Sequence, residues 1–210
     1  MRVSKEKAAE NRERILRSAA RLFREQGISA TGVDSITEDA GLTHGGLYSQ
    51  FGSKEAIAAE AVRFALARGK RVWQRTLERN PGKRALPAIV DSYLSRAHRD
   101  APGSGCVVAA LGTDIARQPR RVRQAFTKEI KADLEFFSRL MAKGNRSLSY
   151  ENAIVAFASM AGALILARAV NDEALSDLIL KSTAERVIKR AKVRKAVRRS
   201  RVATTKIKER

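Results

Sequence analysis

Along almost its whole length the chain repeats apolar residues at steps of three and four. From Asn11 to Gln26 the series is Ile15, Leu16, Ala19, Ala20, Leu22 and Phe23, with Arg and Glu between. That spacing puts the apolar side chains on one face of an α-helix. No stretch alternates apolar and polar residues long enough to propose a strand, so the pattern predicts an all-α fold. The punctuation agrees. Gly27 stops the first helix. Thr31, three residues ahead of Asp34, reads as a variant capping box opening a short helix over about 33–40. Gly41 ends that helix. Thr43 is the N-cap of a third, carrying Leu47, Tyr48 and Phe51, and Ser53 caps a long fourth with Glu55 in its first turn. Asn80-Pro81-Gly82 is a turn. Further helical patterns cover about 83–98, 105–116, 120–143, 149–170 and 173–197, separated by breakers at 101–105, 118–119, 143–145 and 171–172.

Charge narrows the partners. The 210 residues carry a net charge of +20, which points to a polyanion, nucleic acid before anionic membrane. The charge is uneven. Residues 1–60 hold nine Lys/Arg and nine Asp/Glu, whereas residues 181–210 hold 13 Lys/Arg and two Glu. Apolar residues keep helical spacing through about 197. Residues 199–210 are expected to be a basic, disordered tail that adds affinity for any duplex without reading bases.

Other classes find less support. Cys106 is the only cysteine, so no internal disulfide is possible and a reducing compartment is the simplest reading. The N-terminus lacks the apolar core of a signal peptide. The longest mainly apolar run, Ala153–Ala167, falls short of the roughly 20 residues a membrane span needs. A cytoplasmic protein with no membrane association is expected. Gly-rich phosphate loops, metal-ligand spacings and a nucleophile elbow are absent from the sequence, so the expectation is a non-enzyme with no metal and no cofactor.

The stretch GLTHGGLYSQFGSKEAI (41–57) is the most informative. Two short helices joined by a tight Gly-containing turn make a helix-turn-helix. The second, about 44–50, must enter the major groove N-terminus first, so its leading residues should be small or polar. Thr43, His44, Gly45 and Gly46 meet that need. Leu47 and Phe51, four apart, would pin the helix to Leu16, Leu22 and Phe23. Tyr48 and Ser49 fall near the outer face, within reach of phosphates or base edges. Lys54 combines a cation with free helix N–H groups, a phosphate anchor. Each has a plainer reading: packing for Tyr48, a solvent-facing cap neighbour for His44, a surface lysine for Lys54.

Residues 11–60 resemble the DNA-binding domain of the TetR family of bacterial transcriptional regulators, of the TetR/AcrR-like kind. The matching segments are ILRSAARLFREQGISAT (15–31) and ITEDAGLTHGGLYSQFGSKEAI (36–57). The resemblance implies an N-terminal helix-turn-helix domain, 1–53, followed by a helical regulatory and dimerisation bundle, 54–198. It implies a sequence-specific regulator, a repressor released by a small-molecule inducer, binding a near-palindromic operator as a homodimer. The DNA-contacting set it implies is Thr31, Ser35, Thr43, His44, Gly45, Gly46, Tyr48, Ser49 and Lys54. GSGCVVAALGTDIARQPRRVRQAF (103–126) is similar to a Gly-Cys segment in one branch of the family's regulatory domains. An inducer pocket is expected inside 54–143, lined by Phe64, Trp73, Tyr93, Leu94, Cys106, Leu111 and Phe126. Cys106 reads either as a small buried hydrophobe or as a thiol made reactive at a helix start.

Two positions depart from the family pattern. Thr37 stands where alanine is more usual and Gly32 where Ser or Thr is. Two other functions remain open at this stage: a nucleoid-type binder relying on charge, and a helical interaction module that does not bind nucleic acid.

Overall fold

The structure, a computed structural model, describes residues 4–141 and 146–208, with side chains described through Met141 and from Ser149 to Arg190. Among the described residues there are ten α-helices and no strand. They are α1 Lys5–Gln26, α2 Val33–Ala40, α3 His44–Phe51, α4 Lys54–Arg79, α5 Ala85–Tyr93, α6 Arg96–Arg99, α7 Val107–Ile115, α8 Arg120–Met141, α9 Arg146–Ala169 and α10 Glu173–Lys208. Single 3₁₀ turns occupy Gly82–Arg84 and Pro102–Ser104. The all-α expectation holds. The chain forms two compact units, Met1–Gln74 with Asp100–Asp133, and Arg75–Arg99 with Leu134–Arg210. The sequence boundary at 53/54 thus falls inside the first unit, because the core of α1 to α4 continues into α7 and the start of α8.

That core gathers Ile15, Leu22, Phe23, Ile36, Leu47, Phe51, Ile57 and Val62 with Val107, Leu111, Ile115 and Val122. Local chemistry sets where its helices begin and end. Ser4 caps α1 by accepting from the Lys7 N–H at 3.2 Å. The helix therefore starts ahead of Asn11, through a Lys-Glu-Ala segment of good helix formers that shows no apolar period. The capping box expected at α2 does not form. The N-cap is Gly32, with no side-chain cap, and the Thr31 hydroxyl instead donates to the Gly27 carbonyl at 2.7 Å. Thr37 is buried, and its hydroxyl donates to the Val33 and Asp34 carbonyls at 3.2 and 2.9 Å. The extra oxygen is satisfied within its own helix and costs little. Gly41 closes α2 in the left-handed region, φ 62° and ψ 42°, with its N–H turned back on Glu38 and Thr37. A β-carbon is strained in that conformation.

In the second unit α5 packs on α10, α10 on α9, and α6 on α9. The core holds Leu86, Ile89, Val90, Phe137, Phe157, Met160 and Leu164. Phe137 meets Phe136 edge-on at 5.9 Å and Phe157 at 5.8 Å. The single helix expected over 83–98 is two. The break comes at Leu94, and Ser95 restarts the chain by accepting from the His98 N–H at 3.2 Å. Arg168 fixes the end of α6, donating to the carbonyls of His98 and Arg99 at 2.8 Å each. His98 is a packing residue here. Its Nδ1 lies 2.6 Å from the Tyr93 carbonyl, and burial holds its pKa below the usual imidazole value.

By length and composition the segment Ser149–Ala169 could cross a membrane, but 44% of its most apolar window is buried within the fold. Among the described residues, the large apolar side chains of α9 and α10 that are more than 40% exposed are Ile154, Val155, Ile165 and Leu166, whose eleven-residue spacing makes a stripe along α9, with Leu175 and Leu178 on α10. The backbone of α10 is helical to Lys208, where disorder is expected from 199. Glu173–Lys208 contains neither Gly nor Pro and is rich in Lys, Arg and Ala, so nothing local stops the helix. Residues 209–210, and the break expected at 143–145, lie outside the described residues.

Candidate nucleic-acid interface

The first unit brings most of the predicted DNA-contacting residues onto one surface. Thr43 lies in the β region and accepts from the Gly46 N–H at 3.4 Å, starting α3 at His44. One face of α3 is then committed. Leu47 is fully buried and Phe51 nearly so, both in the common core. The opposite face carries Thr43, His44, Gly45, Tyr48 and Ser49, all exposed, with Gly46 half-buried. Tyr48 is 46% exposed. Ser49 donates to the Gly46 carbonyl at 3.0 Å, so its oxygen is left as an acceptor. Ser35 is exposed in the first turn of α2.

Three predicted residues are not simply presented. Thr31 is fully buried and its hydroxyl donates to the Gly27 carbonyl, so this DNA contact expected from the sequence is not presented on the surface. It holds the loop between α1 and α2. Lys54 is half-buried, and its ammonium donates to the Ser29 carbonyl at 3.1 Å. His44 Nε2 contacts Asp34 Oδ1, and its ring stands 6.5 Å from that of Tyr48. Asp34 is an exposed carboxylate beside the reading surface.

Other functional side chains escaped the sequence reading. Arg12 donates to the Gln50 carbonyl at 2.9 Å, pairs with Glu60, and lies 4.2 Å over the Phe51 ring. It therefore ties α1 to the end of α3 and to α4. Asp114 of α7 accepts from the Ile28 N–H at 2.5 Å, and Gln118 reaches Ser29 at 3.4 Å. The loop of residues 27–31 is thus anchored from α7 as well as from Lys54. These partners lie 38 to 89 residues apart in the chain, beyond any local pattern.

The residues expected around an inducer are dispersed. Leu111 is buried in the first unit, with Phe64, Trp73, Cys106 and Phe126 half-buried there. Tyr93 and Leu94 are buried in the second unit. Cys106 is the N-cap of α7.

Gly45 has nothing within 4 Å of where a β-carbon would stand, and its backbone is helical. Gly45→Ala is expected to stabilise the protein by about 0.5–1 kcal/mol, through helix propensity alone. Urea unfolding checks this; a loss of stability would show that the position tolerates no side chain.

An exposed polar face on a short helix, rigidly backed and set behind a Gly turn, defines a helix-turn-helix DNA-binding protein. The comparisons agree and go further. The family model described as bacterial regulatory proteins, tetR family, matches residues 15–61. An uncharacterized HTH-type transcriptional regulator of Mycobacterium tuberculosis is 30% identical over 176 residues, 80% of this chain and 89% of that protein. The crystal structure of a TetR-family transcriptional regulator from Cytophaga hutchinsonii aligns with a TM-score of 0.74 at 23% identity, over 90% of this chain and 97% of that one. The reduced form of E. coli NemR aligns with a TM-score of 0.72 at 19% identity, over 85% and 95%. The chain belongs to the TetR family of bacterial transcriptional regulators, and its first unit carries that family's DNA-binding helix-turn-helix.

Proposed function

We propose that the protein is a cytoplasmic, homodimeric repressor that holds a near-palindromic operator and is released from it by a small-molecule inducer. The observation that carries the DNA half is the outer face of α3, where Thr43, His44, Gly45, Tyr48 and Ser49 are exposed above buried Leu47 and Phe51. Small groups at the helix start allow close approach to base edges. Lys54 and Tyr48 supply contacts to phosphates, which position the helix without reading sequence. The exposed apolar stripe of α9 and α10 supports pairing of two chains, and a two-fold pair of reading helices asks for a two-fold operator. The domain division proposed from the sequence, a reading domain through 53 and a regulatory bundle through 198, describes roles rather than packing units.

Selection of duplexes from a random pool, followed by footprinting, tests this reading. An enriched inverted repeat with half-sites at least about one helical turn apart, roughly 34 Å, is expected. Pools that enrich no sequence would leave only charge-driven binding. Tyr48→Ala and Lys54→Ala should each weaken all duplexes about tenfold, the loss of one charge-assisted or hydroxyl contact of about 1–1.5 kcal/mol. His44→Ala should instead alter the selected consensus. A consensus unchanged by His44→Ala would remove His44 from base reading.

A further inference from the structure

We propose that the first unit contains a binding site for a small organic anion, a carboxylate or a phosphate ester with a short apolar part. It is an arginine-walled cavity beside the turn of the helix-turn-helix. The cavity has a volume of about 390 Å³ and lies between α1, α4 and the Pro102–Ser104 turn. Arg14, Arg17, Arg21 and Arg24 line it from α1 and Arg68 from α4, while among the described residues Asp39 is the one acid in its wall.

The charges in this wall are not balanced. Arg17 pairs with Glu13, and Arg21 pairs with Glu25 and Asp39. Arg14 and Arg68 form no salt bridge among the described residues. Arg24 donates both Nε and Nη2 to one neutral acceptor, the Gly103 carbonyl. Burial, and then the charge of Arg68, lower its pKa to about 10, while Cys106 and Glu25 pull it back up. Three guanidinium groups thus line the cavity without a salt bridge among the described residues. Clustered like charges of this kind are relieved by an anion, and planar guanidinium forks match the oxygens of carboxylate and phosphate. Phe64 and Ala65 give the cavity an apolar side. Space of this size suits a small ligand with an anionic head.

The site touches the reading apparatus directly. Arg14 extends over Gly41, where its Nη2 would lie 2.7 Å from a β-carbon. Asp39, in the last turn of α2, is held by Arg21. An anion that gathers Arg14 and Arg68 alters what rests on the turn between α2 and α3. Regulation of operator binding by that change rests on the function proposed above; the binding itself does not.

Calorimetry on the full chain at constant ionic strength tests the site, with inorganic phosphate, hexanoate and adipate as probes. At least one probe should bind saturably with one site per chain. Arg14→Ala/Arg68→Ala should weaken that binding at least tenfold. Arg120→Ala/Arg123→Ala, on the exposed basic face of α8, should leave it unchanged. Arg68→Gln alone, an exposed position, should weaken it while preserving the melting temperature, which covers misfolding of the double variant. Saturable binding of no probe, or equal loss in both double variants, would overturn the site and leave only general attraction to a basic chain. Loss of anion-free DNA binding in Arg14→Ala/Arg68→Ala would overturn it too, by assigning these arginines to DNA phosphates. Anion binding at the site in a protein that selects no operator would leave the site standing and sink the repressor reading instead.

Discussion

Leu166→Asp is expected to convert the protein to a folded monomer and to lower operator affinity at least a hundredfold at nanomolar concentration. Leu166 is 55% exposed on α9, flanked by Ile165 at 43% and, three turns earlier, by Ile154 and Val155 at 42% each. Leu178 on α10 is 58% exposed. Between these bulky residues the stripe holds Ala158, Ser159 and Gly162, small groups that let a second helix come close. Two such helices from each chain would close into a four-helix interface. In a two-fold interface each substitution counts twice. An aspartate placed there must be desolvated without a partner, at a cost of about 1.5–3 kcal/mol per chain, or about 3–6 kcal/mol per dimer. The equilibrium shifts by a factor of about 10² or more. Sedimentation and a gel shift read the two effects, with circular dichroism confirming that the helices remain. A Leu166→Asp protein that still sediments as a dimer and holds its operator would place the interface on another surface.

What could be read in advance followed the range of the interactions involved. The helix-turn-helix was legible because its signals are local: Gly41 for a left-handed turn, Thr43 and Ser53 as caps, Leu47 and Phe51 four apart. Thr31 misled for an equally local reason. A hydroxyl three residues ahead of an acid can cap a helix, but a buried position next to the Gly27 carbonyl satisfied it first. The start of α1 was invisible because residues 5–10 bury little and so carry no apolar period. The break at Leu94 has neither glycine nor proline to announce it; Ser95 and the distant Arg168 make it. Arg12, Asp114 and the arginine cavity depend on pairs far apart in sequence. A string of arginines on an amphipathic helix looks like an ordinary solvated face until α4 and the 102–104 turn close over it.

The largest pH effect should come from Asp133. Its carboxylate, on α8, is 1% exposed, and among the described residues neither oxygen accepts a hydrogen bond of good geometry. The nearest cation is the Lys70 ammonium, 3.4 Å from Oδ1, and Lys70 also serves Glu129 at 3.6 Å. Burial raises the Asp133 pKa from 3.8 to about 6; Lys70 pulls it back and Glu129 pushes it further up. The sign follows from proton binding. Between about pH 4 and 6 the folded chain holds this proton and the unfolded chain does not, so stability falls as pH rises through that window. Above it both states are ionised and the folded state carries the whole penalty, about 3 kcal/mol for a shift of some two units. Asp133→Asn removes the titration and keeps the shape, and Lys70 retains Glu129. The variant should gain about 1–3 kcal/mol relative to the parent at pH 7.5, and the difference should shrink steadily as pH is lowered to 4. Urea unfolding of both proteins across this range measures it, and taking the difference cancels the other titrating groups. A difference that stays constant with pH would mean that Asp133 is ionised in the folded chain throughout, with Lys70 outweighing its burial.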